Sequence, residues 1–184
     1  MTDTRSKIVG LAEQMVRTGG YNGFSFREIA SEIGIKSSSV HYHFPSKEDL
    51  ALAVADRYVG RFFDALGDPT PEGATVESQI ALYCKVFQQS FADSQSACLC
   101  GMLSNETALL PDSVKQATIE FIERNVAWLE AVLRLDPSNF SEEEIRDRAR
   151  LIYSALEGAM SVSALTQSSA WLDSISKVIY PLVV

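Results

Sequence analysis

The sequence predicts an all-α protein, with an N-terminal three-helix domain carrying a helix-turn-helix and a larger helical bundle behind it, about nine helices in total. Three observations lead there. Apolar residues recur at helical spacing along most of the chain, and no segment alternates as a half-buried strand would. The breaks fall where helices cannot continue, most clearly at Gly67-Asp-Pro-Thr-Pro-Glu-Gly73. A hydrophobic content of 46% over 184 residues is ample for a core, so the chain has room for a small head on a larger body.

Ile8, Leu11, Ala12, Met15 and Val16 form one face of a first helix that ends near Gly19 and Gly20. Arg5 and Lys7 at its start are read as solvated, with phosphate contact as the alternative. Phe26, Ile29, Ala30 and Ile33 then mark a short buried helix capped by Ser25, and Gly34 supplies the positive φ at its end. The next helix spans about Ser37 to His43. Val40 and Phe44 anchor it inward, which leaves Ser38, Ser39, His41, Tyr42 and His43 outside.

A helix with so little apolar surface is not core. Its hydroxyls, imidazoles and phenol can donate to phosphate oxygens and base edges, and its N-terminal amides favour an anion. Pro45 stops it, and Ser46 with Glu48 and Asp49 opens a longer helix from Lys47 to about Leu66. That helix carries Leu50, Ala53, Val54 and Tyr58 inward and Phe62, Phe63 and Leu66 toward the body.

The run Phe26-Arg-Glu-Ile-Ala-Ser-Glu-Ile-Gly-Ile35, followed by Val40-His-Tyr-His-Phe-Pro-Ser-Lys-Glu-Asp-Leu50, resembles the N-terminal domain of the TetR family of bacterial transcriptional regulators. The resemblance covers about the first third of the chain. It implies a homodimeric repressor that leaves a palindromic double-stranded DNA operator when a small molecule binds. It places residues 1–50 as the DNA-binding domain and 51–184 as the ligand-binding and dimerisation domain. The DNA contacts it suggests are Ser25, Arg27, Lys36, Ser37, Ser38, Ser39, His41, Tyr42, His43 and Lys47. Two positions depart from the family pattern: Ser38 stands where a glycine or other small residue is usual, and His41 where a tyrosine, commonly a phosphate contact, is usual. Tyr42 is placed to take over that contact.

In the body, Val76, Ile80, Tyr83, Phe87 and Phe91 form one stripe. Pro111 opens a long segment through Leu135, broken at Asp136-Pro-Ser-Asn139. There Val114, Phe121, Trp128 and Val132 share one face, and Ile119, Ile122, Val126, Leu129 and Leu133 a neighbouring one, so the helix must be covered from two sides. The family lines its ligand cavity with the corresponding helix, which makes Phe62, Tyr83, Phe87, Phe121 and Trp128 candidate walls for a mainly apolar or aromatic effector. Ordinary core packing is the competing reading of each ring.

Ser141-Glu-Glu-Glu starts a helix to about Gln167, and a last helix runs from Ser169 to near Pro181. Leu151, Ala155, Gly158, Val162 and Leu165 follow heptad-like spacing, and Trp171, Leu172, Ile175, Val178, Ile179 and Leu182 give the last helix a broad apolar side. Residues 141–184 are therefore expected to form the homodimer interface, against intramolecular burial as the alternative. Glu157, the lone charge between Leu151 and Gln167, is placed at a helix edge.

The net charge of −8 argues superficially against a nucleic-acid partner. Residues 1–50, however, hold six basic and six acidic side chains, so the acidity belongs to the rest. No uninterrupted apolar run is long enough to span a membrane, and the first residues lead into an amphipathic helix, so a cytoplasmic protein without a membrane partner is expected. His41 and His43, the two histidines, point apart on a helix and cannot share a metal. With no phosphate loop or nucleophile elbow either, no enzyme, metal or cofactor is implied.

Three cysteines without a secretion signal indicate reduced thiols. The stretch Cys98-Leu-Cys100-Gly-Met-Leu-Ser-Asn-Glu106 resembles a segment of those TetR-family members that sense electrophiles or oxidants through a cysteine. The alternative function is accordingly the same repressor scaffold acting as a redox or electrophile sensor through Cys98 or Cys100, with Cys84 as a partner. The competing reading buries all three as small hydrophobes.

Overall fold

The structure is a computed structural model that describes residues 3–136 and 140–183, except the side chains of 182 and 183. Pro137, Ser138 and Asn139 of the expected break, and the Leu182 side chain, lie outside the described residues. Among the described residues the chain forms nine α-helices and one 3-10 turn: α1 Thr4–Gly19, the turn Tyr21–Gly23, α2 Phe26–Glu32, α3 Ser37–His43, α4 Lys47–Leu66, α5 Val76–Ser94, α6 Leu99–Ser104, α7 Asp112–Leu133, α8 Glu142–Thr166 and α9 Ala170–Val183. None of these helices is long and apolar enough to cross a membrane.

Two compact units divide the chain. The first comprises Met1–Arg61 with Leu99–Glu120, the second Phe62–Cys98 with Phe121–Val184. In the first, α2 packs on α3 and α1 packs on α2 and α6. Ile8, Ala12, Val16, Phe24, Ile29, Val40, Phe44, Leu50, Val54 and Tyr58 fill the core. Ser25 caps α2 by accepting the Glu28 amide at 3.2 Å while its hydroxyl donates back to the Glu28 carboxylate at 2.7 Å. A cap of this kind contributes about 1 kcal/mol. Gly34 takes φ +72 where α2 ends, a conformation that costs a residue with Cβ. The buried Glu13 is paired with Arg61 and lies 3.9 Å from Arg57, so its carboxylate is compensated rather than stranded.

In the second unit α8 packs on α9, and α5 packs on both. Thr75 and Ser141 close reciprocal capping boxes at the starts of α5 and α8. The Leu172 amide donates to the buried Ser163 hydroxyl at 3.3 Å, and Gln88 donates to Asp173 at 2.9 Å, so polar ties fix α9 where apolar packing alone would let it slide. All five residues of the α5 stripe are buried.

Several expectations shift in detail. On α4, Ala51 and Ala55 are buried while Ala53 is half-buried, because the inward face is rotated by part of a turn from the one read. On α7, Thr118 and Asn125 belong to the buried face, whereas Ile119 is 37% exposed. These two buried polar groups of α7 are satisfied within reach: Thr118 donates to the Val114 carbonyl at 2.9 Å and Asn125 to that of Phe121 at 2.8 Å. Pro181 does not end α9 but sits inside it, two residues before its last. Its missing amide proton costs a bond only near a helix terminus.

Candidate functional site

The first candidate site is the face of α3. Val40 is fully buried and Phe44 nearly so, and these two anchors turn the remainder of the helix outward. Ser38, His41 and Tyr42 are exposed, Tyr42 to 85%. A phenol so unburied makes little contribution to the core and is free to touch a ligand. The His41 imidazole is braced edge-on against the Phe26 ring, with centroids 4.6 Å apart, and Tyr42 lies against His43 at 5.3 Å. Ser37, Ser39 and His43 are half-buried around this row.

The cations predicted beside it divide. Arg27 and Lys36 are exposed, Lys36 at the N-cap of α3. Lys47 is half-buried, with its ammonium 4.6 Å from the Phe24 ring centroid and 5.0 Å from that of Tyr21. Burial lowers its pKa, and the Glu28 and Glu106 carboxylates oppose that fall. Ser25 uses its hydroxyl for the cap of α2. Arg5, read as solvated, is exposed, and its guanidinium also lies 5.0 Å above the Phe44 ring. Nothing in the sequence near Arg5 or Lys47 signals these rings, which the fold brings from 23 to 39 positions away.

The second candidate site gathers all five expected wall residues. Phe62 meets Tyr83, Phe87 and Phe121 at centroid distances of 6.4, 5.5 and 5.2 Å, each nearly edge-on. Tyr83 stacks on Trp128 at 5.4 Å and 25°. The Tyr83 hydroxyl donates to Asn125 at 2.7 Å, and the Trp128 indole N–H donates to the Gly67 carbonyl at 2.9 Å. Rings at these distances are in direct contact, so the site is closed in this conformation.

Glu157 corrects the sequence reading: both its carboxylate oxygens are buried, so it turns inward rather than lying at a helix edge. Burial first, then Glu157 and the Cys98 and Cys84 thiols, push the Tyr83 hydroxyl well above the usual tyrosine range. Tyr83 therefore acts as a neutral hydrogen-bond donor. A separate open groove of about 420 Å³ is lined by Ile122, Val126, Ala127, Tyr153, Arg150 and neighbouring polar residues of α7 and α8, and none of the five aromatic candidates lines it.

Cys84, Cys98 and Cys100 form no disulfide, and all three are buried, at 3%, 1% and 1% exposure. Burial raises the Cys84 pKa, and that rise lowers the fraction of reactive thiolate. Cys100 lies on α6, a six-residue helix too short for periodicity to reveal, and Cys98 immediately precedes it.

On this geometry the chain can be set beside known proteins. Residues 8–54 match the family model described as bacterial regulatory proteins, tetR family, and residues 74–178 match that of the C-terminal domain of LmrA/YxaF-like transcriptional regulators. A TetR transcriptional regulator from Legionella pneumophila has a crystal structure that superposes with a TM-score of 0.88 at 30% identity, covering 100% of this chain and 99% of that one. The HTH-type transcriptional regulator LmrA of Bacillus subtilis is 24% identical over 184 residues, 98% of this chain and 97% of its own. The reduced form of Escherichia coli NemR shares the fold, with a TM-score of 0.81 at 22% identity over 97% of this chain and 95% of that one.

Proposed function

The chain belongs to the TetR family of bacterial transcriptional regulators, DNA-binding proteins rather than enzymes, and from this premise we propose that it is a homodimeric repressor released from a palindromic operator by a mainly apolar or aromatic effector. The observation that carries the reading is α3, anchored by Val40 and Phe44 alone and presenting Ser38, His41 and Tyr42 to solvent. Residues 1–50 act as the DNA-binding domain and 51–184 as the ligand-binding and dimerisation domain. The exposed Arg27 and Lys36 serve phosphate, while Ser38, His41 and Tyr42 read the groove.

Release follows from the aromatic cluster. Its rings touch, so an effector has to part Phe62, Tyr83, Phe87, Phe121 and Trp128 to enter. An effector shifts the protein only by its preference for one arrangement over another, and here it prefers the opened one. The closed arrangement is the operator-binding state.

Selection from a randomised duplex pool, followed by titration at several salt concentrations, tests the DNA-binding part. The wild type should enrich a palindrome. Lys36→Ala should weaken every sequence alike and flatten the salt dependence by about one unit per protomer, whereas His41→Ala should change the preferred bases. A wild type that enriches no sequence at moderate salt sinks the proposal.

The cysteine-sensor alternative is favoured only by the family resemblance around Cys98 and Cys100, and the burial of all three thiols opposes it. Cys84→Ser, Cys98→Ser and Cys100→Ser should therefore release operator no differently from wild type under peroxide, hypochlorite or a quinone. Oxidant-driven release that one of these substitutions abolishes would establish the sensor instead.

A further inference from the structure

Resting on the DNA-binding reading above, we infer that Glu106, in the α6–α7 connection, is a positioning residue for operator recognition: it holds the backbone of the turn that leads into the α2–α3 hairpin. The carboxylate accepts the Tyr21 amide proton at 2.8 Å, a contact spanning 85 positions of sequence. It occupies the place where a side chain on the preceding residue would stand. A Cβ on Gly20 would lie 1.7 Å from one Glu106 oxygen, and Gly20 has φ +70 and ψ −168, which glycine alone adopts without strain.

The Gly20 amide donates to Val16 at 2.8 Å and the Gly23 amide to Gly20 at 3.0 Å, and Glu106 supplies the acceptor for the Tyr21 amide. The same carboxylate acts electrostatically on Lys47, whose ammonium lies over the Tyr21 and Phe24 rings. Phe24 is where the chain enters the hairpin and Lys47 where it leaves. A second tie lies beside the first, because the Ser113 hydroxyl donates to Glu48 at the start of α4. The orientation of α3 is thus referred to the segment Leu99–Glu120, which packs in the same unit as the head.

The test uses the full-length protein, with amide exchange and backbone resonances followed alongside operator titration. In Glu106→Ala the Tyr21 amide should exchange about tenfold to a hundredfold faster, the loss expected for a hydrogen bond to a charged acceptor. The α2–α3 resonances should move, and operator affinity should fall at least about tenfold by the same bond loss while non-specific DNA binding stays near wild type. Glu106→Gln keeps an acceptor and should keep Tyr21 protected. Gly20→Ala should reproduce the Glu106→Ala loss, and the double variant should lose less than the sum. Unchanged Tyr21 protection in Glu106→Ala, unmoved α3 resonances, or a loss of protection spread evenly over all amides would each overturn the inference. If the wild type selects no operator, the repressor reading fails, and the clasp is judged on exchange and resonances alone. If Glu106→Ala does not fold, Glu106→Gln and Gly20→Ala decide: a Tyr21 amide as labile in Glu106→Gln as in Gly20→Ala would overturn it.

Discussion

Gly158→Glu should convert the protein to monomers at micromolar concentration and weaken operator binding about a hundredfold or more, the advantage that joining two half-site contacts confers. The expectation rests on what α8 and α9 leave open. Ile152, Leu156, Met160, Leu172 and Ile179 are buried within the protomer, but Leu165 is 85% exposed, Trp171 53%, Leu151 51% and Val178 47%. Intramolecular burial accounts for the first group and not for the second. An apolar row of this extent on two adjacent helices fits a symmetric four-helix contact. Gly158 lies within that row with nothing near its missing side chain, so a glutamate there meets no obstacle inside the protomer. Replacing glycine in a helix interior even stabilises the helix by about 0.5 kcal/mol. Dissociation without unfolding would therefore report on the interface alone. Sedimentation at several concentrations checks it, and a variant that remains dimeric with wild-type operator affinity would place the interface elsewhere.

Phe62→Ala should cost about 3–5 kcal/mol, the range for deleting a large ring from a closed core. Its ring meets four others, Phe63, Tyr83, Phe87 and Phe121, at 5.2 to 6.4 Å. Those neighbours are themselves held, Tyr83 by Asn125 and Trp128 by Gly67, so they cannot collapse freely into the space. At roughly 2–4 °C per kcal/mol, thermal unfolding should move down by about 6–20 °C. An apolar void of this kind takes up small aromatic molecules, so benzene should restore part of the loss. A variant that melts like wild type would mean that the cluster already holds open space around Phe62.

The parts of this architecture that were legible in the sequence are those encoded by neighbours in the chain. Ser25 caps α2, Gly34 ends it, Pro45 stops α3, and Ser141 with Glu144 starts α8, all within a few residues of the helix ends they set. The heptad-like row from Leu151 to Leu165 was legible for the same reason, since helical spacing alone puts it on one face. What sequence could not show depends on partners far along the chain. Lys47 reaches rings at positions 21 and 24, and Glu106 reaches the backbone at 21. The inward turn of Glu157 depends on where α5 lies, which no local pattern encodes. A trace of the Glu106 contact was present in the Gly19-Gly20 pair, where a second glycine is more than a helix stop requires.

The discontinuous make-up of the first unit bears on how such regulators can be recombined. Cutting after Arg61 and grafting the head onto another body would separate Gly20 and Tyr21 from Glu106, and Glu48 from Ser113. The graft would present a bare amide and an unfilled notch to whatever loop the new body carries. A functional chimera must therefore import residues 99–120 together with the head, or rebuild their contacts, even though the chain from Phe62 to Cys98 separates the two in sequence.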